Sequence, residues 1–283
     1  MARLRTLFIL GRVSNLPTVW SNCLAGWWLG GAGNTGKLAI LLPGVSLLYL
    51  GGMFLNDAFD ADFDRQHRKG RPIPTGAISI VALWRWGLMW LGLGALCLFC
   101  AGITTGAAGL ALVVCILVYD AIHKLLTLSP VLMGVCRFWV YVTAASIGAD
   151  GVTGWALWCG LALAAYVTGL SFLARGESTR APVPHWPLLL LATPILLALI
   201  INASGYREAA LLLSAVLMLW SLRSLRPALW SGERKIGATV SGLLAGIVFV
   251  DLLAAADAPH PFSLVFLLLF GAAVLLQRFV PAT

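Results

Sequence analysis

The residues best equipped for chemistry fall in one short stretch, Asn56-Asp57-Ala58-Phe59-Asp60-Ala61-Asp62-Phe63-Asp64, with Arg65, Arg68, Lys69 and Arg71 close behind. Four of the chain's eleven acidic residues lie within eight positions, although only 11% of the sequence is charged. Asn56, Asp60 and Asp64 are spaced i, i+4, i+8, which on an α-helix stacks them in one column at about 5–6 Å intervals. An oxygen-rich column of this kind suits Mg2+, which takes one or two carboxylates and completes its shell with water and substrate phosphate oxygens. Asp57 and Asp62 stand off the column and are weaker ligand candidates. A merely solvated acidic cap is the plain alternative, but acids at a helix C-terminus oppose the helix dipole. The basic residues run into Pro72-Ile73-Pro74-Thr75-Gly76, which ends any helix. Arg71, beside that rigid turn, is placed to grip phosphate, because a guanidinium fork matches two phosphate oxygens.

Other polar residues are scattered. Arg137 and Asp251 fall inside apolar runs, where a charge must face a cavity or a partner. Arg137 could reach an internal chamber, whereas Asp251 suits helix pairing, and Arg85 can snorkel to an interface. His67 and His123 flank the polar stretches; each reads as a loop histidine or, for His123 beside Lys124, as a general base. Cys23, Cys97, Cys100, Cys115, Cys136 and Cys159 all lie in apolar runs and read as packing residues.

These groups need elements that hold them in a lipid environment. The sequence is 60% hydrophobic with a mean hydropathy of +0.92, the composition of a polytopic, all-α membrane bundle. Ten apolar runs approach the ~20 residues of a bilayer span, at 16–31, 38–56, 80–101, 106–122, 130–148, 153–174, 186–203, 208–222, 237–255 and 261–279. With the N-terminus in the cytoplasm, nearly all Lys and Arg outside the spans gather on that side, leaving only Lys37 and Arg207 opposite. The positive-inside rule then assigns the acidic stretch to a cytoplasmic cap. The surplus of cations fits membrane lipid and not a nucleic-acid partner. The whole chain, 1–283, reads as a single domain, with no cleavable signal peptide evident after the first run.

The run Asn56 to Gly76 resembles the first motif of the UbiA superfamily of intramembrane prenyltransferases, an NDxxDxxxD element followed by basic residues and RPIP-[ST]-G. Arg12-Val13-Ser14-Asn15-Leu16-Pro17-Thr18-Val19-Trp20-Ser21-Asn22 is similar to the start of that family's first helix, and Tyr119-Asp120-Ala121-Ile122-His123-Lys124 to its tyrosine–lysine element. The resemblance implies a bundle of nine helices around a lipid-open chamber. It implies Mg2+-dependent transfer of a prenyl group from an allylic prenyl diphosphate to a small acceptor. Carried over by position, Asn56, Asp60 and Asp64 would hold the metal, with Asp60, Asp64 and Lys124 at the chemistry. Arg12, Asn15, Arg71, Tyr119, Asp120 and Arg137 would contact the substrate. Residues 119–137 and 174–177 further resemble the EboC-like sub-branch, which implies a bacterial inner membrane.

The sequence also departs from the family. Where a second acidic motif is expected after the sixth span, the chain reads Gly169 to Arg180 with Glu177 as its one carboxylate. Either Glu177 helps to hold a weaker second metal, or Arg175 supplies a fixed positive charge in its place. The same gap supports a non-catalytic isoprenoid-binding or scaffolding relative. A transporter using Arg137 and Asp251 is a further reading, which leaves the aspartate cluster without a role.

Overall fold

The computed structural model describes residues 2–179, 185–201, 203, 205–229 and 235–281, with the side chains of 2–4 and 176–179 outside the description. A short helix α1 (Ala2–Leu10) and a 3-10 turn (Val13–Asn15) lead into α2 (Leu16–Leu29), α3 (Thr35–Phe59) and α4 (Ala61–His67). Then come α5 (Ile80–Ala101), α6 (Ile103–Ile122), α7 (Ser129–Ala145) and α8 (Gly154–Thr179). The chain ends with α9 (Pro187–Leu191), α10 (Thr193–Ile200), α11 (Arg207–Leu229), α12 (Ile236–Ala254) and α13 (His260–Leu276).

Local sequence sets several of these boundaries. Asn34 Oδ1 accepts from the N–H groups of Gly36 and Lys37 at 2.8 and 3.3 Å and so caps α3, while Ser79 Oγ accepts from Ala82 N–H at 3.2 Å and caps α5. Prolines stand in the first turns of α2, α7, α9, α10 and α13, where the missing N–H costs no helical bond. Among the described residues six helices, α3, α5, α6, α8, α11 and α12, are long and apolar enough to cross a membrane, and α7 and α13 are shorter apolar helices. The hydropathy reading of ten spans therefore overstates the number of full-length helices. Its run 186–203 is two short helices broken at Ala192, where Pro194 removes a backbone donor.

Packing is close where side chains are small. Gly44 and Gly51 on α3 face Gly94 and Gly87 on α5, so two seven-residue glycine steps meet across one interface. A Cβ at Gly51 would lie 2.9 Å from the Gly87 carbonyl oxygen, and one at Gly94 2.8 Å from that of Gly44. In lipid, where burial of apolar surface gives little drive, such backbone approach is what holds helices together. One apolar core gathers Val19, Leu41, Leu48, Leu91, Leu98 and Val140 of the first half, and a larger one gathers Tyr141, Leu163, Leu217, Leu243 and Phe266. Both draw on α2 and α7, which thus stand between the halves and line the space where the site forms.

Candidate functional site

The acidic stretch lies at the junction of α3 and α4. The helical ladder survives the junction: Asp60 N–H donates to Asn56 O at 3.0 Å, Asp64 N–H to Asp60 O at 2.9 Å and Arg68 N–H to Asp64 O at 2.8 Å. Asn56, Asp60 and Asp64 therefore keep the stacked order that their spacing suggests. Asn56 and Asp64 are buried, and Oδ1 of Asp64 has no hydrogen-bond partner.

The end of α6 comes against this column. Asn56 Nδ2 donates to Asp120 Oδ1 at 3.0 Å, and the other Asp120 oxygen is buried without a partner. Lys124 Nζ and His123 Nε2 lie 2.6 and 3.2 Å from Asp60 Oδ1. Burial alone would raise the Asp60 carboxyl, but His123 and Lys124 outweigh it and hold the group below the ordinary carboxylate range. Burial would likewise lower the His123 imidazole, and Asp60 reverses this and raises it above its ordinary value. Tyr119 stacks on His123 with ring centroids 5.2 Å apart, and the Lys124 ammonium also sits 4.1 Å from the Phe63 ring centroid.

Asp57 organises the second cationic flank. Its Oδ1 accepts from Arg71 Nη1 at 3.1 Å and lies 4.0 Å from Arg12 Nη2. Arg71 is presented by the proline turn, closed by Thr75 N–H to Arg71 O at 3.1 Å and by Gly76 at φ 72°, a left-handed conformation that favours glycine. Arg12 is itself left-handed, with φ 41° and ψ 50°, a strained state for a side-chain-bearing residue. Its carbonyl accepts from Tyr49 OH at 3.2 Å and from Asn15 N–H at 2.9 Å, which pins the strained turn. Asn15 is buried beside it.

Beneath these groups lies a cleft between α2, α3, α6 and α7, whose about 560 Å3 of space between atoms includes its open mouth. Tyr119 and Asp120 form its polar end, and Val19, Val45, Gly52, Leu112, Ile116 and Val140 are among its apolar walls. Arg137 also lines it, donating from Nη1 to Asn22 Oδ1 at 2.7 Å and from Nη2 to Thr18 Oγ1 at 3.3 Å. Asn22 in turn donates to both oxygens of buried Asp251, at 2.9 and 2.7 Å, and Asp251 also accepts from Ser21 and, at 2.6 Å, from Tyr141 OH. Thr18, Ser21 and Asn22 belong to the run that resembles the family's first helix but receive no role there, although their i, i+3, i+4 spacing on an apolar helix marks a polar face that needs partners.

The structure thus brings Asn56, Asp60, Asp64, Asp120, Tyr119 and Lys124 together, with Arg12, Asn15 and Arg71 alongside. Arg175, on α8, is spent on the connection from α6 to α7. It donates to the carbonyls of Thr127, His123 and Leu126 at 2.5, 2.7 and 2.8 Å, and to Ser129 Oγ at 2.8 Å. The Glu177 side chain lies outside the described residues. His67 is occupied locally, stacked on Phe63 at 4.4 Å.

No group of three or more His, Cys, Asp or Glu side chains among the described residues could hold a metal ion unaided. The donor set is still well matched to Mg2+. It consists of oxygens, includes buried carboxylate oxygens of Asp64 and Asp120 that lack partners, and adjoins cations able to receive phosphate. Such a site favours a hard cation that shares its shell with a ligand's phosphate oxygens.

Comparisons with known proteins bear on the fold and the family. The chain resembles a solved structure concerned with digeranylgeranylglyceryl phosphate synthase in membranes, at 19% identity and a TM-score of 0.64, covering 90% of this chain and 98% of that one. It also resembles a UbiA homologue from Archaeoglobus fulgidus bound to GPP and Mg2+, at 15% identity and a TM-score of 0.67, covering 97% and 99% of the two chains. An apo UbiA homologue from Aeropyrum pernix K1 matches at 17% identity and a TM-score of 0.54, over 95% and 98%. At these identities the likeness speaks for the fold. No curated protein matches the chain. The model of the UbiA prenyltransferase family matches residues 14–259, and with the helical bundle and its membrane-crossing helices this makes the protein an integral membrane member of the UbiA prenyltransferase family.

Proposed function

We propose that this protein transfers a prenyl group from an allylic prenyl diphosphate to a small acceptor within the membrane, with Mg2+ as cofactor. The observation that carries the reading is the stack of Asn56, Asp60 and Asp64 at the polar end of an apolar cavity, with cations on two sides. Asn56, Asp60 and Asp64 would hold the ion, with Glu177 as the candidate for a second. Bound there, Mg2+ would supply charge stabilisation for the departing diphosphate.

The chain's own groups do the rest. Lys124 and Arg71, released in part from Asp60 and Asp57, turn their N–H donors to the diphosphate, which carries more negative charge than either carboxylate. Arg12, held in its strained turn by Tyr49, supports Arg71, and Asn15 braces that turn. Asp120 fixes the Asn56 amide so that its oxygen faces the column. Tyr119 closes the polar end over the tail, which lies along Ile116, Leu112 and Val140 and is shielded there from water. The positive-inside imbalance supports a cytoplasmic location for this end, and the resemblance to the EboC-like sub-branch supports the inner membrane of a bacterium.

A non-catalytic relative that binds isoprenoid is the second reading, favoured by the lack of carboxylates in 169–175. The Arg137–Asp251 network weakens the transporter reading, since both charges are tied to fixed polar partners. The test is binding of prenyl diphosphates to purified protein with and without Mg2+, for wild type and for Asp60→Ala with Asp64→Ala. Mg2+-dependent binding that disappears in the variant is expected; equal binding without metal and without those aspartates overturns the proposal. Release of diphosphate with a trial set of acceptors then separates transferase from scaffold.

A further inference from the structure

Arg137 stands in the side wall of the cleft, whose lining runs on past it to Val45 and Val140, so that a tail can pass. The diphosphate end does not call on it, because Lys124, Arg71 and Arg12 are the cations there. Its guanidinium carries five N–H donors in one plane. One goes to Asn22 Oδ1 at 2.7 Å and one to Thr18 Oγ1 at 3.3 Å, and no other described residue accepts from the rest. Asp251, the carboxylate that balances the charge, is held at one remove. Its oxygens accept from Ser21, Asn22 and Tyr141, and the Asn22 amide stands between anion and cation. The guanidinium is thus fixed from α2, with unspent donors on a half-buried side chain in the cleft wall.

We infer that Arg137 recognises the acceptor, and that it does so through an uncharged oxygen, such as a carbonyl, on an otherwise apolar body. This rests on the prenyl-transfer reading above. Position is the first argument. Ser129 Oγ donates to the His123 carbonyl at 2.9 Å, so the start of α7 is level with the cationic end of the site. Arg137 follows eight residues later, about 12 Å along the helix axis, and its side chain leans back toward that end. A small molecule held by Arg137 therefore lies between it and the diphosphate end. Charge is the second argument. Asp251 already balances Arg137, so an anionic acceptor would add a surplus negative charge at membrane depth, which is costly. Polarity is the third. A body with no oxygen would strip water from the free N–H groups and give nothing in return, whereas Leu112, Ile116, Met133 and Val140 suit the apolar remainder.

The test uses three probes of nearly one shape, acetophenone, cumene and benzoate, which carry a neutral carbonyl, no oxygen and a carboxylate. Each is titrated by ligand-detected NMR into protein in nanodiscs with Mg2+ and farnesyl thiodiphosphate, a non-hydrolysable donor, and empty nanodiscs correct for partition into lipid. Wild type should bind acetophenone at least about tenfold more tightly than cumene or benzoate, the equivalent of one hydrogen bond from a charged donor. Arg137→Met with Asp251→Asn removes both charges together and should erase the preference over cumene. Asp251→Asn alone leaves the cation unbalanced and should turn the preference toward benzoate, which a merely structural Arg137 would not do. If either variant does not fold, the other and wild type decide. Wild type that holds cumene as tightly as acetophenone, or prefers benzoate, overturns the inference, as does a double variant that keeps the wild-type order; the donor reading then stands if the thiodiphosphate binds. If the thiodiphosphate does not bind, the donor reading falls and the inference goes with it.

Discussion

Replacing Arg175 separates two roles for a cation near the site. One is a fixed charge facing the diphosphate; the other is a brace for the connection from α6 to α7. The structure supports the brace, because three N–H groups of the guanidinium serve four acceptors, the carbonyls of His123, Leu126 and Thr127 and the hydroxyl of Ser129. Hydrogen bonds from a charged donor contribute about 1.5–3 kcal/mol each, but sharing and partial exposure bring the total for Arg175→Met to roughly 2–4 kcal/mol. At about 2 °C or slightly more per kcal/mol for a chain of this size, thermal unfolding in detergent should shift down by roughly 5–10 °C, compared at one scan rate. Lys124 directly follows the braced His123, so donor binding should weaken about tenfold as the ammonium loses its fixed position.

Arg175→Lys decides the matter. A lysine keeps the charge but cannot bridge several carbonyls with a planar fork. If Arg175 is a brace, the lysine variant loses most of the same stability as the methionine variant. Wild-type stability in both variants, with donor binding lost in Met and kept in Lys, would refute the brace and make Arg175 a direct partner of the diphosphate.

On α5, Gly94→Ala should cost about 1–3 kcal/mol of stability through overpacking, because its new methyl would meet the Gly44 carbonyl oxygen and a Leu48 methyl at 2.8 Å. Gly92→Ala, two residues away with nothing within 4 Å of its new methyl, should be neutral or gain up to about 1 kcal/mol from helix propensity; equal Tm shifts for the two would contradict the glycine interface. Tyr141→Phe removes a 2.6 Å donor from buried Asp251 and should lower stability by about 1.5–3 kcal/mol, so an unchanged Tm would show that water or another group replaces it. Lys124→Ala should leave Tm within a degree or two, because a half-exposed ion pair contributes under about 1 kcal/mol. The same variant should weaken thiodiphosphate binding at least about tenfold, and retained affinity would remove Lys124 from the donor site.

Local chemistry was legible in the sequence wherever it depended on spacing within one helix. Asn56, Asp60 and Asp64 stack as their four-residue intervals require, because the backbone ladder continues through the α3–α4 junction. The proline turn presents Arg71 for a similarly local reason. Partners from distant segments were another matter. Spacing cannot tell that Asp57 is engaged by Arg12 and Arg71, or that Asp120 fixes Asn56, because those pairings depend on how helices cross. Hydropathy likewise marked residues 186–203 as one span, since an average over a window is blind to a single missing N–H at Pro194. The Arg137–Asp251 cluster lies between these cases. Each charge was conspicuous alone in an apolar run, and lipid demands a partner for it. What the sequence lacked was the link, and the polar face of α2 supplies it: Asn22 uses its amide oxygen for the cation and its amide nitrogen for the anion. An amide does both at once and a carboxylate cannot, so Asn22→Asp should disrupt the cluster more than Asn22→Ala. The aspartate would set a second carboxylate against Asp251, and it would offer no donor in return. Greater thermal stability of the aspartate variant than of the alanine variant would show that the cluster carries a net positive charge, and that Asn22 is not the bridge.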